Sequence, residues 1–551
     1  MHYLDDASWV ISASDLTAFA QCPWRLARVI DAKLGKLDRV PVLADPMMEL
    51  VAELGLVHEQ RTLQELKLAL GIVVEIPYEQ APYDAPAAAW RGAIQASCDA
   101  TVVALHSPAD ALFQATFYQP QLTGTQLSVG FQGFADFIVR DGTTWEIWDT
   151  KLARRAKEPA LIQLAAYADQ LHQLGISTSP TVRLILGDGT ASVHVIEDLL
   201  PAFQAIRDDV LELIEDRCLD PEPLAWGSPT YPACGGSGCA ECQQAILAHD
   251  DLFQIAGLRK SQRTTLRIAG YVTLAHFGDS SIDEVRAAVR GIGRETLLAL
   301  HRQARLQVAT RESNPPTVAW EVLSPSTLNN IPTPDRGDLF FDFEGDPTYQ
   351  EWDSNGNPVT DAGENAPVRF GVEYLFGIWG EGVNPGADNP DFLSLWADGF
   401  GDEKAVLEQF CTLVSARREA YPDMRVYHYA AYERTKLRLL RTRHDTAHAC
   451  VELLLSELLV DLYPIVTKGV ALGLPRYGLK TLEPLYLPEG TRTGIAGGGE
   501  SVVAFHHYRQ LRDASDEAGA RELKNSILRY NEVDCYSTKL LRDWLLTLVK
   551  S

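Results

Sequence analysis

Asp136 lies in the run FQGFADFIV, and thirteen residues later WDTK brings Asp149 and Lys151, two apart and therefore on one face of a strand. Two carboxylates so placed can hold a divalent cation that polarises a phosphoryl oxygen and activates water, while an ammonium beside them stabilises developing negative charge. On a plain surface hairpin the same residues make a cross-strand salt bridge. A second acidic set begins in DLFFDFEGD, where Asp342 and Glu344 alternate with phenylalanines and aim both carboxylates one way. Glu433 follows in VYHYAAYERTKLRLL, where a strand passes into a helix, and RYNEVDCYSTKLLRDWL carries Tyr530 and Asp534 at i and i+4. Solvated surface acids explain any one of these runs but not their order. A third set is sulfur: Cys22 in AFAQCPWRLA and Cys234, Cys239 and Cys242 in YPACGGSGCAEC. Four thiolates suit a 4Fe–4S cluster or a zinc ion.

These groups need elements to position them. FQGFADFIV (131–139), the turn residues Asp141 and Gly142, and TTWEIWDT (143–150) read as a hairpin, with Asp136 ending its first run. PALIQLAAYADQLHQLG (159–175) reads as an amphipathic helix closed by Gly175; Gln163 and Tyr167 lie one turn apart on it. His58 sits in GLVHEQ within an upstream helical segment. TVRLILGDG (181–189) is strand-like, PAFQAIRDDVLELIEDRC (201–218) is helical, and 219–242 breaks regular structure. Residues 251–310 read as short helices, and the proline-rich stretch 313–338 reads as a linker. An α/β pattern follows, with 338–346, 368–379 and 424–430 as strands. The expected division is 1–250, a connector 251–312, a linker 313–336 and a last domain 337–551.

In the connector, VRAAVRGIGRETLLALHRQARLQV (285–308) joins two helical runs through GIG. Gly291 and Gly293 can present backbone N–H groups to a phosphate at a helix N-terminus, or serve an ordinary αα-turn. Arginines and a lysine cluster at 259–267 and 302–311, and RTKLRLLRTR (434–443) holds five positive charges and no acid, beginning with Arg434 and Lys436 next to Glu433. That strip is expected to guide a nucleic-acid strand.

The whole chain has 551 residues, too many for one core, and a net charge of −25 that argues against coating nucleic acid through a basic surface. Carboxylate-rich metal sites account for part of that excess. Nine cysteines are too few for a disulfide scaffold, the N-terminus MHYLDDASWV lacks the marks of a signal peptide, and no apolar run reaches membrane-spanning length. A cytoplasmic protein without a membrane partner is expected.

The Asp136, Asp149, Lys151 pattern, with His58, Gln163 and Tyr167, resembles the RecB-like nucleases of the PD-(D/E)xK superfamily. That resemblance makes Asp136, Asp149 and His58 metal ligands, Lys151 the catalytic lysine, and Gln163 with Tyr167 a pair facing substrate. One distant and three clustered cysteines resemble those members whose iron–sulfur cluster pins the domain ends together, although here the wider spacing, Cys234 to Cys239, precedes CAEC. The GIG segment looks like a helix-hairpin-helix element. The later acids resemble the DEDD exonucleases of RNase H-like fold, in the subgroup marked by tyrosine. This implies that Asp342, Glu344, Glu433 and Asp534 bind two divalent metals, with Tyr530 orienting the attacking water. HYAAYE departs from the commoner HNxxFD and resembles the YprB-type domain, whose later positions match Asp461 in VDLYP and Lys480 in YGLKTLE. The implied protein is an α/β multidomain deoxyribonuclease using Mg²⁺ or Mn²⁺ at two centres on single-stranded or end-bearing DNA, in repair or mobile-element defence. A ribonuclease, or an inactive scaffold serving a helicase, are the alternatives. The chain has no GxxxxGK(S/T) loop, so unwinding falls to a helicase in trans or in a longer natural chain.

Overall fold

The computed structural model describes residues 1–38, 45–78, 86–236, 238–353, 358–360 and 368–549, so Ser237 of the cysteine-rich run lies outside the described residues. The chain divides into two compact units, 1–245 and 246–551. No helix among the described residues is long and apolar enough to cross a membrane.

The first unit is built on an eight-stranded sheet. Its strands are β1 (His2–Tyr3), β2 (Trp9–Ser12), β3 (Val73–Glu75), β4 (Ala111–Gln119), β5 (Val129–Asp141), β6 (Thr144–Lys151), β7 (Thr178–Leu186) and β8 (Ala191–Val195). The path runs β1-β2-β5-β6-β7-β8, with β4 also on β5 and β3 on β4. The β5–β6 hairpin forms as expected, but Asp136 falls inside β5 because that strand continues to Asp141. The helix Glu158–Gln173 has Leu164, Ala165, Ala166, Ala168 and Leu171 fully buried, since it packs against the helices Ala13–Gln21 and Ile196–Leu219 as well as β6 and β7. Each large apolar side chain buried there stabilises the unit by about 1.5–3 kcal/mol. Gly133 on β5 is required by Tyr167 of this helix: a Cβ there would meet the tyrosine ring at 2.6 Å.

The second unit opens with the helices Lys260–Ile268, Leu274–Asp279, Ile282–Ala288 and Arg294–Glu312, which share a small core of Leu266, Phe277, Val285, Leu297 and Leu300. The proline-rich stretch is more than a linker. It carries β9 (Trp320–Val322), paired antiparallel with a late strand, and a helical turn Pro325–Leu328 whose Leu328 is fully buried. Beyond it come β10 (Leu339–Asp346), β11 (Val372–Trp379), β12 (Phe392–Trp396), β13 (Val426–His428), β14 (Leu459–Asp461) and β15 (Val470–Leu472), the partner of β9. Five of them form a sheet in the order β12-β11-β10-β13-β14, antiparallel across β10–β11 and β11–β12 and parallel across β10–β13–β14.

Alternation along β10 divides its residues as the sequence implies. Phe341 and Phe343 enter the core beside Phe376 and Phe410. Asp342 and Glu344 face the long helix Glu517–Val549, which packs on β10 and β11. Asp342 stands opposite Gly377 in register. A Cβ at Gly377 would fall 1.6 Å from Asn531 Oδ1, so the missing side chain is what admits the helix at this point.

Candidate active sites and cysteine cluster

In the first unit, β5 supplies Asp136 while β6 supplies Asp149, which is fully buried, and Lys151. Thr150 donates to Asp136 Oδ2 from its backbone N–H at 2.8 Å and its hydroxyl at 2.7 Å. Asp149 forms an ion pair with Lys151 and accepts at 3.3 Å from Gln163 Nε2, which also lies 3.1 Å from Tyr167 OH. Gln163 thus links Tyr167 to the carboxylate. Burial and the charge of Asp136 push Asp149 up to about 8, against the pull of Lys151. Burial likewise raises Tyr167.

His58 lies on the helix Pro46–Ala69 with Nε2 3.3 Å from the Ile185 carbonyl, and burial lowers its basicity. Its ring is not gathered with the aspartates: among the described residues, only the cysteines and a set in the second unit bring three or more ligand atoms within 4.8 Å of one another. The neighbouring Glu59 was missed by the sequence argument. Its carboxyl accepts from Gln114 and is raised by burial and by the charge of Asp136, so it lies within electrostatic reach of that aspartate. GLVHEQ contains it, but nothing in the run says which way that helix turns.

In the second unit, ligand oxygens of Asp342, Glu344 and Asp534 all lie within 4.8 Å of one another. Burial pushes Asp342 well up, Asp534 and Glu344 adding to it, and lifts Glu344 to about 8, with Asp534 the next cause. Burial also raises Asp534, opposed by Arg492 and Lys480. Asn531 Nδ2 donates to Asp342 Oδ2 at 2.8 Å. Glu433, buried at the start of the helix Tyr432–His444, lies outside the triad yet close enough to raise Asp342; its Oε2 is 3.2 Å from His428 Nδ1. Tyr530 is strongly raised, first by burial and then by Glu344, and its hydroxyl accepts from Lys480 Nζ at 2.6 Å. Arg492 pairs with both Asp534 and Glu483. Arg492 carried no sequence signal, being brought in by packing, whereas His428 and Asn531 lie inside the runs HYAAYE and RYNEVD without having been singled out.

Two expectations change here. Asp461 caps the helix Leu462–Gly469, its Oδ1 accepting from the N–H groups of Tyr463 and Ala430, both at 2.9 Å, so it acts as a helix-terminal acid. The strip 434–443 is mostly neutralised within the fold. Arg434 donates to the Leu455 carbonyl, Lys436 pairs with buried Glu373, Arg441 with Glu452 and Arg443 with buried Glu403. The connector behaves similarly: Asp251 pairs with Arg263 and Arg267, and Glu321 with Arg302 and Arg305. Gly291, at φ +88°, and Gly293, which precedes the helix Arg294–Glu312, both remain exposed.

The sulfurs of Cys22, Cys234, Cys239 and Cys242 lie within 4.8 Å of one another, and Cys22 Sγ is 3.4 Å from Cys242 Sγ. Hydrogen bonds from Cys239 and Cys242 lower the Cys22 thiol to about 4. A tetrahedral ion with metal–sulfur bonds of about 2.3 Å needs sulfurs about 3.8 Å apart, so the donor set and its compactness fit a metal.

Both units are α/β folds that place acids on sheet strands, and in the second unit three of those acids converge. Residues 10–246 match the PD-(D/E)XK nuclease superfamily and residues 369–546 the RNase H superfamily, so the chain joins a domain of each. The second match begins after β10 and therefore leaves Asp342 and Glu344 outside it. No curated protein matches the chain. Among solved structures, "Crystal structure of SSO0001" is similar at 14% identity over 40% of this chain and 80% of that one, with a TM-score of 0.19.

Proposed function

We propose that the chain is a metal-dependent deoxyribonuclease hydrolysing phosphodiester bonds of single-stranded or end-bearing DNA at two centres. The observation that carries this reading is the convergence of Asp342, Glu344 and Asp534 within 4.8 Å in a buried site. Three carboxylates kept that close repel one another unless protonated or bridged by a cation; burial raises the proton affinity of all three, and the neighbouring charges raise that of Asp342 and Glu344 further. The donor set of the second unit fits Mg²⁺ or Mn²⁺, held by these three with Glu433; in the first unit Asp136 and Asp149 would hold the ion, and His58 would have to turn toward them to join. A bound divalent ion would supply charge neutralisation at the phosphoryl oxygens and a water of lowered pKa.

The chain's own groups do the rest. Lys151 places positive charge where the pentacovalent phosphate gains negative charge. Tyr530, kept as a phenol and held by Lys480, orients a water by hydrogen bonding. His428 fixes the Glu433 carboxyl, and Gln163 fixes Asp149. The exposed GIG hairpin supports a helix-hairpin-helix contact to the DNA backbone through Gly291 and Gly293, within a connector 251–312. The strip at Arg434 and Lys436 is left out of the substrate path.

The test is cleavage of end-labelled DNA in Mg²⁺ or Mn²⁺ by the parent, Lys151→Ala, Asp342→Ala and the double variant. Metal-dependent loss of the substrate, abolished in the double variant, is expected; undiminished cleavage by it would refute the assignment. A matched RNA strand cut faster than DNA would reassign the substrate. For the cysteines, resemblance favours a 4Fe–4S cluster, whereas the compact sulfur geometry favours one zinc ion. Anaerobic purification with metal analysis decides between them. A helicase partner and a role in repair or defence belong to the same proposal.

A further inference from the structure

Beside the Asp342 centre the second unit carries an open groove of about 660 Å³, lined by Trp320, Trp544, Lys480, Glu483, Glu489 and Arg492 among others. Two of its cations are those that touch the acidic centre: Lys480 donates to Tyr530 OH, and Arg492 pairs with Asp534. Groove and centre therefore share these two side chains. Trp320 stands on the short strand β9 with 42% of its surface exposed, and its ring meets that of Trp544 edge-on at 6.3 Å between centroids. A large aromatic left open on a two-stranded ribbon costs hydration free energy and adds little to the core. Of the two groove acids, Glu483 is neutralised by Arg492 and Glu489 lies exposed at the rim. Arg492 Nη1 is buried without a hydrogen-bond partner among the described residues, a donor with unused capacity.

We propose that this groove holds the nucleotide next to the scissile phosphate of a single strand, its base stacked on Trp320 and its phosphate between Lys480 and Arg492. The proposal rests on reading the Asp342 centre as a nuclease site. An aromatic face beside paired cations is the combination that binds single strands without reading their sequence. A duplex keeps its bases inside and offers Trp320 nothing to stack, so the groove selects unpaired strands. Trp320 acts as a positioning residue, since it touches the neighbouring base and not the reacting phosphate.

The experiment uses full-length Asp149→Ala protein, in which the first centre is disabled, and end-labelled thymidine hexamers in Mg²⁺. Trp320→Ala is expected to raise KM about 5- to 150-fold, the range of one base–aromatic stack. Trp320→Phe should recover most of the loss. Hexamers made abasic at each position in turn should show one position at which the parent's KM rises by a similar factor, with little further rise in Trp320→Ala. An unchanged KM in Trp320→Ala, or abasic and Trp320 effects that multiply in full, would overturn the groove proposal while leaving the nuclease reading intact. Should Trp320→Ala not fold, the abasic series on the parent decides: a hexamer with no sensitive position overturns it. A parent that cleaves no hexamer while its first centre is disabled sinks the nuclease reading of the Asp342 centre and the groove with it.

Discussion

The two acidic centres solve one electrostatic problem differently. In the first, buried Asp149 has an ammonium beside it, and Lys151 offsets part of the cost of burial; Asp136 is further held by two hydrogen bonds from Thr150. In the second, three carboxylates crowd together and the nearest cations, Lys480 and Arg492, stand to one side on Tyr530 and Asp534. The first centre is partly neutral by itself. The second is held in place by the fold, through Asn531 and the long helix, against its own repulsion. On the proposed reading, the fold of the second unit would depend more on a bound cation than that of the first.

Removing both centres is the severest way to test that contrast. Asp149→Ala with Asp342→Ala should lower DNA cleavage by about 10³-fold or more, because on the proposed function each change removes a metal ligand whose electrostatic role is worth several kcal/mol. Residual cleavage above about one per cent, measured on end-labelled strands, would mean that neither set is the reacting centre. Next in size comes Lys151→Ala in the Asp342→Ala background, expected to cost about 10²- to 10³-fold in kcat, as deleting one preorganised charge does. A loss confined to KM would show that Lys151 binds substrate without stabilising the transition state.

How much of this was legible follows from what periodicity can carry. The alternation of Asp342 and Glu344 with phenylalanines, and the i,i+4 spacing of Tyr530 and Asp534, are local patterns, and both β10 and the helix Glu517–Val549 use them as read. The cysteines gather as four, although Cys22 and Cys242 stand 220 residues apart. Readings failed where the deciding partner was remote. The strip 434–443 looked like a phosphate track because Glu373, Glu403 and the Leu455 carbonyl, which occupy its charges, lie elsewhere in the chain. The stretch after 313 looked like a linker because the partner of β9 is β15, far downstream. Glu59 and Arg492 were invisible for the same reason: no local spacing marks a side chain that arrives by tertiary packing.

The contrast also has a stability signature in protein stripped of divalent ions. Glu344 titrates at about 8 when folded, against about 4.3 when unfolded. Because its folded pKa is the higher, the native state binds the extra proton between these values, and stability falls as pH rises from about 4 to about 8. Asp342 and Asp534 shift in the same direction and add to the slope. Added Mg²⁺ should reverse the loss, with the largest gain near pH 8, of the order of a few kcal/mol. Thermal melts with and without chelator across that window check this. A chelated protein that grows more stable toward pH 8 would contradict the picture of an uncompensated cluster. Asp149 shifts upward too, so comparing the Asp342→Asn and Asp149→Asn proteins identifies which centre produces the slope, and the second should dominate.

The smallest change that separates the centres is one methyl group. At Gly377 an added Cβ would fall 1.6 Å from Asn531 Oδ1, on the side chain that donates to Asp342, and would also press on Cys535. At Gly133 it would meet the Tyr167 ring at 2.6 Å, and the hydrogen-bond link from Tyr167 to Asp149 runs through Gln163. Both alanine variants overpack a tight contact and should lose about 1–3 kcal/mol of stability. Their activities should part. Gly377→Ala must displace Asn531 and so disturb a metal-facing carboxylate directly, whereas Gly133→Ala acts through two hydrogen bonds and a ring that can tilt. Measured on the products of each centre separately, the fold-loss from Gly377→Ala should exceed that from Gly133→Ala at matched loss of melting temperature. Equal losses would show that the first centre is as rigidly braced as the second, and that its lysine, not looser packing, is the whole difference between them.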